Sequence, residues 1–307
     1  MSRRGWALFA LMSVIWGVPY LMIKVAVEGV SAPVLVFART AVGAAVLLPL
    51  ALWSTRRTGG LGPLVRRHWR PMAAFATIEI AVPWLLLSAA ERHLTSSMTG
   101  LLIAATPIVA VVLGRLTGDA ERLGPLRWTG LAAGLAGVAL LAAPKLAAGE
   151  PLAIVEVLLV AVCYAAAPII AARRLQDVPS LPLTAICLTG AALVYTPPAV
   201  LTWPAAVPSP AVLAALAGLA LVCTALAFLV FFALIREVGP SRALVFTYVN
   251  PAVAVVAGVL VLGEPLTAPI LVSFALILGG SVLATSRPRA RPGEPVPVAG
   301  TERPAHP

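Results

Sequence analysis

The chain has 307 residues, of which 60% are hydrophobic and 11% charged. A soluble domain carries about 25% charged residues, so the composition excludes one and marks a membrane protein. The formal charge of +10 does not indicate nucleic acid, because the basic residues form no single stripe. They sit in short loops between apolar runs, which is an orientation signal.

Ten apolar runs follow one another, at 6–27, 33–53, 71–90, 95–114, 125–143, 152–171, 181–201, 211–235, 241–262 and 268–286. Each approaches the roughly 20 residues that cross about 30 Å of hydrocarbon. With no water to satisfy backbone groups, such runs are expected to be helices. Ser2-Arg3-Arg4 before the first run resembles the start of a signal peptide. No A-x-A cleavage site follows where one is expected, and the run continues past Ile23, so it is read as a retained first span. With the N-terminus in the cytoplasm, eighteen of the 22 Lys and Arg fall on the cytoplasmic side. Only Arg92 and Lys145 fall in outer loops, while Lys24 and Arg39 lie inside runs. Termini on one face require an even number of spans, in agreement with ten.

One stretch occurs twice. Pro107 to Leu116 reads PIVAVVLGRL and Pro251 to Leu260 reads PAVAVVAGVL, with seven of ten positions identical at an offset of 144. Glu121-Arg122-Leu123 and Glu264-Pro265-Leu266 follow at an offset of 143, which Gly137 and Gly280 keep. A period this long is a structural half. The expected organisation is two halves, 1–143 and 144–286, with five spans each. An odd count inverts the second copy in the bilayer, as in secondary transporters. The Pro-rich tail 287–307 is expected to be a disordered cytoplasmic segment.

Several groups inside the runs invite chemistry. Pro19, Pro83, Pro107, Pro168 and Pro251 cannot donate to the carbonyl four residues back. Broken helices are how transporters expose backbone to polar substrates; simple kinks are the other reading. Charges inside a bilayer face a cavity or a partner. Lys24 either reaches the interface, paired with Glu28, or lines a cavity. Arg39 and Glu79 lie deeper. Glu79 is the first candidate for carrying a proton, because low dielectric favours the neutral carboxyl, and Glu156 is the second unless it is interfacial. Thr247-Tyr248-Val249-Asn250-Pro251 holds the only asparagine of the chain. Tyr248 and Asn250 suit either a substrate site or interhelical hydrogen bonds. Trp16-Gly17 and Tyr164-Ala165 each place an aromatic and a small residue before a proline, so that Trp16 and Tyr164 could wall a cavity. Glu121 and Glu264 read as caps, and Gly130, Gly134 and Gly137 as close-packing positions.

Cys163, Cys187 and Cys223 fall in apolar runs, and His68, His93 and His306 are scattered. That spacing gives neither a metal site nor a disulfide framework, and no cofactor is expected.

The order and duplication of these motifs resemble the EamA-type transporters of the drug/metabolite transporter superfamily. The residues that carry the resemblance are Trp16-Gly17…Lys24, Arg39, Ala104…Pro107…Gly114…Glu121-Arg122-Leu123, and Asn250-Pro251…Gly258…Gly263-Glu264-Pro265-Leu266. Gly118-Asp119-Ala120-Glu121 departs from the adjacent Gly-Glu of the second copy. The resemblance implies an all-α integral membrane protein with ten transmembrane helices in two inverted five-helix repeats. It also implies a central cavity and export of small metabolites or drugs across the cell inner membrane. The implied partners are a small-molecule substrate and the lipid bilayer, with oligomeric state left open. Proton-coupled and facilitative transport both remain open. A lipid-modifying membrane enzyme is the distant alternative; it lacks the clustered Asp or His that such chemistry needs.

Overall fold

The computed structural model of the chain describes residues 1–116 and 124–285, and among these every regular element is helical. Among the described residues, nine helices are long and apolar enough to cross a membrane. They are α1 (Arg3–Ala26), α2 (Ala32–Thr55), α3 (Leu61–Ala90), α4 (Ser96–Leu116), α5 (Pro125–Ala147), α6 (Pro151–Arg174), α7 (Ser180–Leu201), α8 (Pro210–Val238) and α10 (Ala268–Thr285). Between α8 and α10 lies a shorter apolar helix, α9 (Asn250–Leu262). The chain enters α9 through one helical turn, Pro240–Ala243, and a 3-10 segment, Leu244–Tyr248. The apolar run 241–262 is therefore three pieces. The motif Glu121-Arg122-Leu123, the departure at Gly118-Asp119 and the tail 287–307 lie outside the described residues.

Local chemistry sets the helix starts. Ser2 accepts from the Gly5 N–H, Ser31 from Val34 and Thr95 from Met98. These hydroxyls satisfy donors that have no partner inside the helix. Pro125, Pro151 and Pro210 open α5, α6 and α8, at a position where a missing N–H costs nothing.

The interior prolines behave in three ways. Before Pro19, α1 opens at residues 16–18, and before Pro107, α4 opens at 104–105. The α4 opening is closed by protein: Thr106 donates to Ile103 O at 2.6 Å, and Ser281 of α10 donates to Ala104 O at 2.9 Å. Pro83 does not break α3. The turn before it, Thr77–Ala81, rewinds as a π-helix, whose wider turn accommodates a residue that cannot complete the α ladder. Pro168 does not break its helix either, which corrects the expectation for it. Pro151–Arg174 runs on without interruption. One missing N–H removes a single bond, and the ladder on either side holds the axis.

A second π segment, Gly218–Leu226, lies in α8. At the repeat offset of 143, Ala81 of the first segment corresponds to Thr224 of the second. No proline forces this one. The Thr224 hydroxyl instead donates to Leu219 O at 2.8 Å, a side-chain bond that spans the wide turn.

The helices pack in matched pairs: α2 on α7, α5 on α10, α4 on α9, α3 on α6 and α1 on α8. The α5–α10 contact is backbone against backbone. A Cβ on Gly280 would sit 2.5 Å from Gly134 N and 2.6 Å from Gly130 O. Small residues there permit the approach that dispersion needs between helices in lipid.

Candidate functional site

Arg39 of α2 is the centre of the polar seam. Its residue is 6% exposed. The guanidinium carbon lies 3.6 Å from the centroid of the Trp84 ring of α3, a cation–π contact. Its Nε donates to Thr224 Oγ1 of α8 at 2.8 Å. The cation is thus held by one side chain from each half. The remaining guanidinium N–H groups make no hydrogen bond among the described residues, and no carboxylate lies within ion-pair distance. Tyr20 of α1, Tyr164 of α6 and Glu91 lie within its electrostatic reach. Tyr164 is also within reach of the Trp84 indole and of Glu79. Glu79 sits in the π turn of α3, half-buried. Its carboxyl makes no hydrogen bond among the described residues.

Arg39, Glu79 and Tyr164 are therefore brought into one group, with Tyr20, Trp84 and Thr224 beside them. The last three escaped the sequence reading. Tyr, Trp and Thr are ordinary in membrane helices, and only the geometry sets them apart.

Lys24 stands at one end of this group. Its Nζ donates to Glu91 O at 2.6 Å and to Leu94 O at 2.9 Å, the free carbonyls after α3. A cation suits that end of a helix. Among the described residues it forms no ion pair with Glu28. Nearby, Glu264, which follows α9, accepts from Ser96 N at 2.7 Å, Ser96 Oγ at 2.9 Å, Ser97 N at 3.0 Å and Ser97 Oγ at 2.5 Å. It thus caps α4 from the opposite half. Gly258 makes room for it: a Cβ there would lie 2.4 Å from Glu264 Oε2. Gly263, at φ +66°, turns the chain so that Glu264 N bonds back to Gly258 O at 3.1 Å. The repeated Pro…Gly…Glu pattern has this physical basis in its second copy.

The other candidates lie elsewhere. Trp16 packs among Phe228, Phe231 and Phe246, with centroids 5.8, 5.1 and 5.4 Å away. The Asn250 amide nitrogen faces Phe246 O and Ser13 O, 3.1 Å from each. The opposite orientation would set its oxygen against two carbonyls. Asn250 thus ties the opening of α1 to the 3-10 segment before α9. Tyr248 shares a 2.9 Å hydrogen bond with Thr285 of α10. Glu156, half-buried in the first turns of α6, is within electrostatic reach of His93. Pro251 begins α9.

The model of the EamA-like transporter family matches the chain twice, over residues 3–143 and 151–286. The chain belongs to the EamA-like transporter family. It is accordingly a multi-pass membrane transporter and not an enzyme. Among curated proteins it is similar to the uncharacterised inner membrane transporter YedA of Escherichia coli K12, with 28% identity over 293 residues, covering 94% of this chain and 93% of that one. YedA from the O6:H1 and O157:H7 strains matches to the same extent. A solved crystal structure 20% identical in sequence superposes with a TM-score of 0.63 over 92% of this chain and 96% of its own. At that identity the likeness establishes a shared fold.

Proposed function

We propose that this EamA-family chain is an inner-membrane exporter of small polar metabolites, amino acids or related compounds among them, or of drugs, working by alternating access. The observation that carries the reading is Arg39. A buried cation held by both halves, with guanidinium N–H groups free of any acceptor among the described residues, fits an anionic group brought by the substrate. Lys24 would meet the same carboxylate when it leaves the backbone carbonyls it now holds. Glu79, with no ion-pair partner among the described residues, would carry a coupling proton. Facilitative transport is the alternative, since few titratable groups lie within the helices.

The proposed architecture is ten crossings, with Pro240–Leu262 as the broken ninth. The two inverted repeats are 1–143 and 144–286, and both termini are cytoplasmic. The matched helix pairs support it. A two-fold relation between five-helix halves maps α2–α7, α4–α9 and α5–α10 each onto itself and exchanges α1–α8 with α3–α6. Tagging both termini and probing them from each side tests this. Labels on the same, cytoplasmic face are expected, and labels on opposite faces would overturn the inversion. A growth-inhibition screen, comparing overexpression with deletion across amino acids, nucleosides and toxic compounds, would identify the substrate class. Protection by overexpression supports export, and sensitisation contradicts it.

A further inference from the structure

Glu91 follows the last residue of α3, at the edge of the apolar core, where a carboxylate normally meets water. It is instead 0% exposed. Neither of its carboxyl oxygens accepts a hydrogen bond among the described residues. Lys24 is beside it, but the ammonium bonds the backbone carbonyl of Glu91 rather than its carboxylate. The contrast with Glu264 is sharp. That carboxylate, at the same end of the molecule, takes four donors from Ser96 and Ser97 and sits at the positive end of α4. One acid is saturated as an anion; the other, though Lys24 is close by, accepts no hydrogen bond among the described residues. An ionised carboxylate buried without donors is costly, and a group so placed takes up a proton instead.

We propose that Glu91 is a second proton-binding site of the transport cycle, neutral while α3, α4 and the end of α9 are closed together and ionised once they part. This rests on the exporter reading for its role, though not for its chemistry.

The groups facing Glu91 are Lys24 and Tyr20 from α1, Arg39 from α2 and Glu264 after α9. Burial pushes its carboxyl well above the usual carboxylate range. The Lys24 and Arg39 cations oppose that shift and Glu264 adds to it. The closed arrangement therefore binds the proton more tightly than an open, hydrated one. Its advantage is greatest below the ordinary Glu value of about 4.3 and is lost as pH rises through the higher, closed-state value. Parting α9 from α4 breaks the Glu264 cap, and withdrawal of α1 from the end of α3 would free Lys24 from its two carbonyls, so that an ammonium becomes available to the new carboxylate. On the proposed orientation this is the outer face. A proton taken from outside would then hold that face closed after substrate has left and would return outside when the face reopens, so that Glu91 times the closure and carries no net proton across.

Two substrate-free measurements on the full-length protein in lipid nanodiscs test the proposal. The first is an infrared pH titration, which reads neutral carboxyl groups directly. A neutral-carboxyl band should be lost in Glu91→Gln and persist in Glu79→Gln, and Glu264→Gln should move its titration to lower pH. A band unaltered in Glu91→Gln overturns the proposal. If that variant does not fold, an unmoved titration in Glu264→Gln does so. The second is labelling of Thr99→Cys, one turn inside the Ser96–Ser97 cap, by a maleimide. The native cysteines are all buried. Labelling should quicken about tenfold for each unit that separates the two states' proton affinities as pH rises. It should be slow at every pH with Glu91→Gln added. Equal pH dependence with and without Glu91 contradicts the proposal. Neither readout uses substrate, so an absence of export would reject the functional reading and leave these results standing.

Discussion

In α3 the π turn Thr77–Ala81 carries Glu79, an acid without a hydrogen bond among the described residues. In α8 the π segment Gly218–Leu226 carries Thr224, which accepts from Arg39 and donates to Leu219 O. The two segments occupy corresponding places in the two halves. One is accounted for by a proline and the other by a hydroxyl. A wide turn exposes backbone and reorients side chains wherever it occurs. The two halves thus carry the same kind of wide turn with different side chains on it. The first half places an acid on its wide turn, and the second a hydroxyl that holds the Arg39 cation.

The largest expected effect comes from removing that cation. Arg39→Ala should lower transport of an anionic or zwitterionic substrate by about 2–5 kcal/mol in apparent affinity. A neutral substrate should be affected far less. Equal losses for both would make Arg39 a packing residue. Thr224→Val tests whether the second π segment positions Arg39. It should cost about 1–3 kcal/mol, since a buried donor is left unpaired, and Thr224→Ser should recover most of it. Failure of serine to rescue would separate the π segment from the cation. The smallest effect is expected outside both turns. Tyr248→Phe removes the hydrogen bond to Thr285 and should reduce thermal stability by about 0.5–1.5 kcal/mol with transport kept. A selective loss of transport would move Tyr248 into the site.

Arg39, Glu79 and Tyr164 were legible because a charge in an apolar run, or an aromatic beside a proline, stands out against its surroundings. Thr224 was not, since a π segment without proline leaves no mark in a sequence, and threonine is common in membrane helices. Glu91 was hidden for the opposite reason. Its position after α3 reads as an ordinary interfacial acid, and only the packing of α1, α4 and the end of α9 buries it. Asn250 stood out as the only asparagine, yet its amide joins two helix openings. Pro168 illustrates the limit of reading breaks from proline alone, because a long helix with intact neighbours absorbs one missing donor. The role of Gly258 became visible only with Glu264 against it.

The division of labour between the two π turns is tested most directly by pH-driven exchange in proteoliposomes, using the substrate identified by the growth screen. Glu79→Gln should abolish accumulation driven by a pH gradient while leaving passive counterflow close to wild type. Undiminished proton-driven flux in that variant would contradict the account.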